Sequence, residues 1–183
     1  VANIISAQVI LKPDSVLGLA TGSSPIGAHQ QLIEWYNKGD VDFSRVRSVN
    51  LDEYVGLAPT HEQSYRYFMD SNLFDHINID KANTYVAKGT GDAEENLREF
   101  NAVLDRTDID VQVLGVGPDG HLGFNEPGSY SRSRTRLVQL TYNTRKVQSG
   151  AFFGLENTPK MAITMGIETI MRADRIILMA WGE

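Results

Sequence analysis

The sequence predicts an α/β fold, an open, mainly parallel, Rossmann-like sheet with helices on both faces in a three-layer sandwich. Two observations carry this. Short apolar runs at residues 16–20, 46–51 and 111–116 alternate with longer segments whose apolar residues recur at helical spacing. Each of those three runs then ends in a turn: Thr21-Gly22-Ser23-Ser24-Pro25, Asp52-Glu53-Tyr54, and a glycine-rich loop reaching Gly128. In a parallel sheet, turns that follow strands open on one edge, which is where such sheets bind ligands.

Ala2–Leu11 places Ile4, Ile5, Val9 and Ile10 on a helical face, and Lys12-Pro13-Asp14 ends it. Residues 16–20 are a short buried strand. In the turn after it, Ser24 suits a helix cap and Pro25 the first helical position. That helix runs to about Lys38, with Ile26, Leu32, Ile33 and Trp35 or Tyr36 inward, and Asn37-Lys38-Gly39-Asp40 stops it. Residues 46–51 form the next strand. Residues 61–70 lead into a helix with Tyr65, Phe68, Met69 and Leu73 on one side, and residues 85–87 are a short strand before Gly89-Thr90-Gly91. Ala93–Leu104 is amphipathic, with Leu97, Phe100, Val103 and Leu104 inward. Residues 111–116 deliver the glycine-rich loop. Beyond it, residues 137–140 extend, 144–153 are helical, 159–164 extend, 166–173 make a short helix and 175–183 form a final buried strand. Met161, Met165, Met171 and Met179 read as core filler.

No repeat or linker interrupts the chain, so residues 1–183 read as one domain. The start at Val1 and the strand that runs up to Glu183 suggest a piece of a longer protein, with apolar surface left around Ile176, Ile177, Leu178 and Trp181. A chain of 183 residues with 42% hydrophobic content can bury a real core. The formal net charge of −6 argues against a large nucleic-acid footprint but leaves room for a small anion pocket. There is no cysteine, which excludes disulfides and thiolate metal sites and fits a reducing compartment. No apolar run approaches the roughly 20 residues of a membrane span, and no signal peptide is visible.

The loop Gly115-Val116-Gly117-Pro118-Asp119-Gly120-His121-Leu122-Gly123-Phe124-Asn125-Glu126-Pro127-Gly128 is too rich in glycine and proline for a helix interior or a long strand. Asp119 precedes His121 by two residues and Glu126 follows it by five, so a folded loop can bring either carboxylate onto one imidazole nitrogen and stabilise its charged form. A satisfied loop histidine is the plainer reading. A metal ligand is a third, but no second nearby histidine completes a usual set. Thr21, Gly22, Ser23 and Ser24 offer amides and hydroxyls at a helix N-terminus, an anion cradle or an ordinary strand-to-helix turn. The turn lacks both the P-loop ending and the three-glycine dinucleotide pattern. Asp52 and Glu53, as neighbours, point different ways, one toward the crevice and one into the protein, unless both belong to a solvated acidic turn. His29 reads as lying on a polar helix face, His61 as a loop residue and His76 as structural, at a helix end.

Taken together, Leu17-Gly18-Leu19-Ala20-Thr21-Gly22-Ser23-Ser24-Pro25, Val49-Asn50-Leu51-Asp52-Glu53-Tyr54-Val55-Gly56-Leu57 and the loop from Gly115 to Gly128 resemble the glucosamine-6-phosphate deaminase (isomerase) family. Ser64-Tyr65-Arg66-Tyr67-Phe68-Met69 and Ala162-Ile163-Thr164-Met165-Gly166 agree, and the likeness covers essentially the whole chain. It implies a cytoplasmic enzyme of amino-sugar catabolism that converts D-glucosamine 6-phosphate and water to D-fructose 6-phosphate and ammonia, needing no cofactor and no metal. Its partner would be a small sugar phosphate, with no nucleic acid or membrane, and homo-oligomerisation is left open. The resemblance assigns ring opening to His121, support of that imidazole to Asp119 and Glu126, the C2-to-C1 proton transfer to Asp52, and the phosphate to Thr21, Gly22, Ser23 and Ser24. An aldose–ketose isomerisation suits these types, since it needs a carboxylate base at carbon and a separate acid at oxygen. The family also places a phosphate-binding Arg before the aromatics matching Phe152-Phe153. This sequence has Gly150-Ala151 there, with Arg145 or Lys146 as the nearest cations, and it ends before the family's phosphate-binding Lys. A Lys of the allosteric members is replaced by Val138. The alternatives are a galactosamine-6-phosphate deaminase, a 6-phosphogluconolactonase, or a non-catalytic sugar-phosphate-binding fragment.

Overall fold

The computed structural model describes residues 1–117 and 119–180. Five parallel strands make the main sheet, in the order β4-β2-β1-β5-β8: β1 is Val16–Leu19, β2 Arg47–Asn50, β4 Thr84–Tyr85, β5 Val111–Gly115 and β8 Arg175–Met179. Alternation along the strands sends Leu17, Leu19, Val111 and Val113 to one face and Val16, Val49 and Leu114 to the other. The first face packs on α1 (Ala2–Leu11), α2 (Ile26–Lys38) and α3 (Tyr65–Asn72) through Ile5, Val9, Leu32 and Met69. The second packs on α4 (Ala93–Leu104) and α6 (Ile167–Ile170) through Phe100, Leu104 and Ile170. Helices therefore cover both faces, as the strand–helix alternation predicts.

A second sheet is absent from the sequence reading. It is antiparallel, in the order β3-β7-β6: β3 is Asp52–Tyr54, β7 Met161–Thr164 and β6 Arg136–Gln139. Asp52-Glu53-Tyr54 reads as an exit turn because two acids follow a buried strand. It is instead a continuation of β2, since Leu51 alone separates the two strands and is held in both sheets. Its amide donates to the Leu19 carbonyl at 3.1 Å, and its carbonyl accepts from the Met165 amide at 2.8 Å. The remaining helix, α5, spans Tyr142–Gln148.

Other details differ from expectation for local reasons. On α1 the buried residues are Ala2, Ile5 and Val9, an i, i+3, i+7 stripe that leaves Ile4 and Ile10 exposed. Pro25 occupies the cap position of α2, one residue earlier than expected, and Ser24 makes no capping bond. His29, expected on a polar face, is 2% exposed and lies between α2 and Phe68 of α3, with ring centroids 6.2 Å apart. Met165 and Met179 are in the core, whereas Met161 and Met171 are exposed. The final strand is half-covered, with Ile176 and Leu178 turned outward as the expected apolar edge. Trp181, Gly182 and Glu183 lie outside the described residues. Among the described residues no helix is long and apolar enough to cross a membrane.

Candidate active site

Because β1, β2 and β5 run parallel, their carboxyl ends bring the 21–25 turn, Asp52 and the 115–128 loop to one edge of the main sheet. Asp52 opens β3 directly across from Thr164 of β7. The two adjacent acids divide as strand geometry requires. Glu53 turns inward, is 2% exposed, and accepts from the amides of Tyr54 (2.8 Å), Tyr65 (3.0 Å) and Arg66 (3.1 Å) and from the Ser64 hydroxyl (2.7 Å). It anchors the first turn of α3, whose orphan amides need acceptors. Burial pushes its pKa up while those bonds pull it down.

Asp52 is 6% exposed, and its carboxyl makes no hydrogen bond to any described residue. Burial first, and the neighbouring Glu53 charge second, push its pKa up to about 8. The surroundings are aromatic. Tyr54 packs on Phe124 (5.2 Å between centroids) and edge-on to Phe152 (5.5 Å), and Tyr65 stacks on Phe124 at 6.0 Å. Burial also raises the pKa of both tyrosine hydroxyls, to about 12 at Tyr54.

On the loop, His121 Nδ1 lies 2.5 Å from Asp119 Oδ1, which also accepts the His121 amide at 3.2 Å. The bond to His121 holds the Asp119 carboxyl below the usual range. With Nδ1 engaged, Nε2 is the nitrogen left for proton exchange. The ring is seated on Gly117, where any Cβ would overlap it, and the Gly117 amide donates to the His121 carbonyl at 3.0 Å. Glu126 does not join this pair. Its carboxylate accepts from Thr141 (2.9 Å) and Thr144 at the start of α5, and no bond links it to His121 among the described residues.

The loop reaches Asp52 through Gly123, whose φ of +58° suits glycine. A Cβ at this position would sit 3.0 Å from Thr164 Oγ1 and 3.1 Å from Asp52 Oδ2. The carboxyl therefore abuts the backbone two residues from His121. The Phe124 amide donates to Thr164 Oγ1 at 3.1 Å. Asn125 Nδ2 donates to the carbonyls of Met165 (2.7 Å) and Leu122 (2.9 Å), and its Oδ1 accepts from Arg136 at 2.8 Å. The sequence reading names Thr164 and Asn125 within matching stretches but gives neither a role; a threonine in a strand has no feature that distinguishes it from an ordinary β-former.

Thr21, Gly22, Ser23 and Ser24 precede α2 beside this loop, and the Cβ position at Gly115 lies 3.8 Å from Ser24 Oγ. Ser23, Ser24, Gly27 and Val116 line a cavity of about 700 Å³ that opens there. Arg145, one of the two substitute cations, is committed elsewhere: its guanidinium donates to the carbonyls of Leu155 (2.7 Å) and Thr158 (3.4 Å). Lys146 is exposed on the last turn of α5. Among the described residues no group of three or more His, Asp or Glu side chains is placed to hold a metal ion.

The pattern that defines the glucosamine-6-phosphate isomerases/6-phosphogluconolactonase family matches residues 1–183. The chain belongs to that family. A relative from Lachnoclostridium phytofermentans named glucosamine-6-phosphate deaminase is 56% identical over 99% of this chain and 78% of its own. A Clostridium perfringens relative of the same name is 50% identical over 100% of this chain and 76% of its own. Among solved structures, a monomeric glucosamine-6-phosphate deaminase superposes with a TM-score of 0.93 at 40% identity, covering 97% of this chain and 74% of that one. A 6-phosphogluconolactonase from Shewanella baltica shares the fold, with a TM-score of 0.75 at 20% identity over 100% of this chain and 75% of its own.

Proposed function

We propose that this family member is a glucosamine-6-phosphate deaminase, a C–N hydrolase that converts D-glucosamine 6-phosphate and water to D-fructose 6-phosphate and ammonia. The observation that carries the reading is the carboxyl of Asp52, buried, without a hydrogen-bond partner among the described residues, and adjacent to the loop that holds an Asp119-oriented His121. The names of the relatives support it independently.

The chemistry divides between the two groups. In this reading His121 Nε2 passes a proton to the ring oxygen, the 1-hydroxyl loses one, and the sugar opens to the aldehyde. Asp52 then takes the C2 proton and returns it to C1, while the 2-ammonium gives up a proton and O1 gains one, leaving a 1-hydroxyl and a C2 iminium that water hydrolyses to ketone and ammonia. A general base is most effective with its pKa near the working pH, and burial brings Asp52 there. A 2-ammonium group on the substrate would favour the ionised carboxyl, a preference a neutral lactone does not offer. Thr21, Gly22, Ser23 and Ser24 would take the 6-phosphate at the start of α2. Glu126, through Thr141 and Thr144, would tie the loop to α5. The activity would be carried by one α/β domain acting in the cytoplasm on a small sugar phosphate, without a cofactor.

The test is a panel of glucosamine 6-phosphate, galactosamine 6-phosphate and 6-phosphogluconolactone supplied to the purified protein. Ammonia should be released fastest from glucosamine 6-phosphate. Preferential opening of the lactone, without ammonia from either amino sugar, would overturn the assignment.

A further inference from the structure

We propose that Thr164 is a positioning residue: its hydroxyl pins the His121 loop onto the strand that faces Asp52 and so sets the spacing between the acid and the base. The inference rests on the functional reading above, but its geometric half stands alone. His121 comes from the loop that leaves the parallel sheet at β5, and Asp52 opens the antiparallel sheet at β3. These two groups must act on atoms one or two bonds apart, yet they belong to different sheets. Thr164 lies between them.

Three contacts of Thr164 make the case. Its backbone pairs with Asp52 on one side and with Arg136 on the other, at the centre of the three-stranded sheet. Its hydroxyl is 0% exposed and accepts the Phe124 amide at 3.1 Å, turning toward the Met165 carbonyl at 3.4 Å. Together with Asp52 Oδ2, that hydroxyl bounds the space above Gly123. The next residue of the strand, Met165, receives Asn125 at 2.7 Å, so the loop is fastened to the end of β7 at two successive residues. Of the two fastenings, the threonine hydroxyl is the one that can be deleted with almost no change in shape. Valine fits the same space and leaves the Phe124 amide without an acceptor.

Without the Thr164 bond the loop stays tied through Asn125 and Glu126, but the segment next to His121 loses its direct hold on β7, and reacting groups misplaced by about 1 Å can cost a factor of 10² in rate. The loss should fall on kcat with KM little changed, because the phosphate cradle is not involved. The test uses Thr164→Val, Thr164→Ser and, as a control that deletes a different buried hydroxyl, Thr135→Val, whose Oγ1 bonds Thr169 at 3.3 Å. Hydrogen–deuterium exchange over residues 121–125 and steady-state deamination are measured on all three and on the unaltered protein. Thr164→Val should exchange faster across that segment and lose roughly 10- to 100-fold in kcat. Thr164→Ser should restore both, and Thr135→Val should change neither. Unaltered exchange in Thr164→Val overturns the pin, as does faster exchange with wild-type kcat. If the unaltered protein deaminates nothing, the functional reading fails, and the exchange arm still decides whether Thr164 holds the loop.

Discussion

A carboxylic acid largely withdrawn from water and bonded to no donor is more stable neutral than charged, and Asp52 is in that condition among the described residues. Its folded-state pKa of about 8 lies above the 3.8 of a free aspartate, so the native protein binds that proton more tightly than the unfolded chain does. Below pH 3.8 both states are protonated and Asp52 costs nothing. As pH rises toward 8 the unfolded chain ionises freely, the native state does not, and stability falls; above 8 the cost stays constant. Asp52→Asn should therefore be more stable than the unaltered protein at pH 8, by on the order of a few kcal/mol, and unfold at a higher temperature, with the gap closing toward pH 4. Thermal melts across that range check it, and a gap that widens on acidification would show that the carboxyl is ionised and held by partners. The sequence leaves two readings of Asp52 and Glu53, a divergent pair with one acid toward a crevice or a solvated acidic turn, and the structure has the divergent pair. Which acid faces the crevice depends on where α3 begins, and that is a tertiary fact. The pairing of Asp119 with His121 is legible from a two-residue spacing, whereas the turn of Glu126 toward α5 depends on a segment fifteen residues further along.

The elements legible in the sequence are those with strong local patterns. Ala2–Leu11 and Ala93–Leu104 carry apolar stripes with clear stops, and both have the expected bounds. The antiparallel sheet is not legible, because β3 is three residues long and two of them are acids, and because β6 and β7 are joined by a long connection. Glu53 explains how a strand with that composition survives in a buried place, since three of its hydrogen bonds are spent on the start of α3 and a fourth on the Tyr54 amide beside it. Glu53→Gln replaces an acceptor oxygen with a donor facing other donors. The expected cost is about 1–3 kcal/mol, a fall of about 2–4 °C in Tm for each kcal/mol. Calorimetry checks it, and an unchanged Tm would mean that α3 is held by its apolar face alone. Because Glu53 is also the second cause of the raised Asp52 pKa, the same variant should move the acidic limb of the pH–rate profile, where the base loses its proton, to lower pH.

At the scale of the whole molecule, two sheets meet at Leu51, and each contributes one of the reacting groups. The parallel sheet supplies the edge and the imidazole loop, and the antiparallel sheet supplies the buried carboxyl and the strand that holds the loop beside it. The strand–helix alternation makes the first visible, and only long-range pairing makes the second. On this account neither group suffices alone, because ring opening and the carbon-bound proton transfer are different steps at different atoms. The most direct test is ammonia release from glucosamine 6-phosphate by the unaltered protein, Asp52→Asn and His121→Gln under the same conditions. The account predicts turnover by the unaltered protein and a loss of about 10²- to 10⁴-fold in each variant, with substrate binding retained; undiminished turnover in either variant, or none in the unaltered protein, would contradict it.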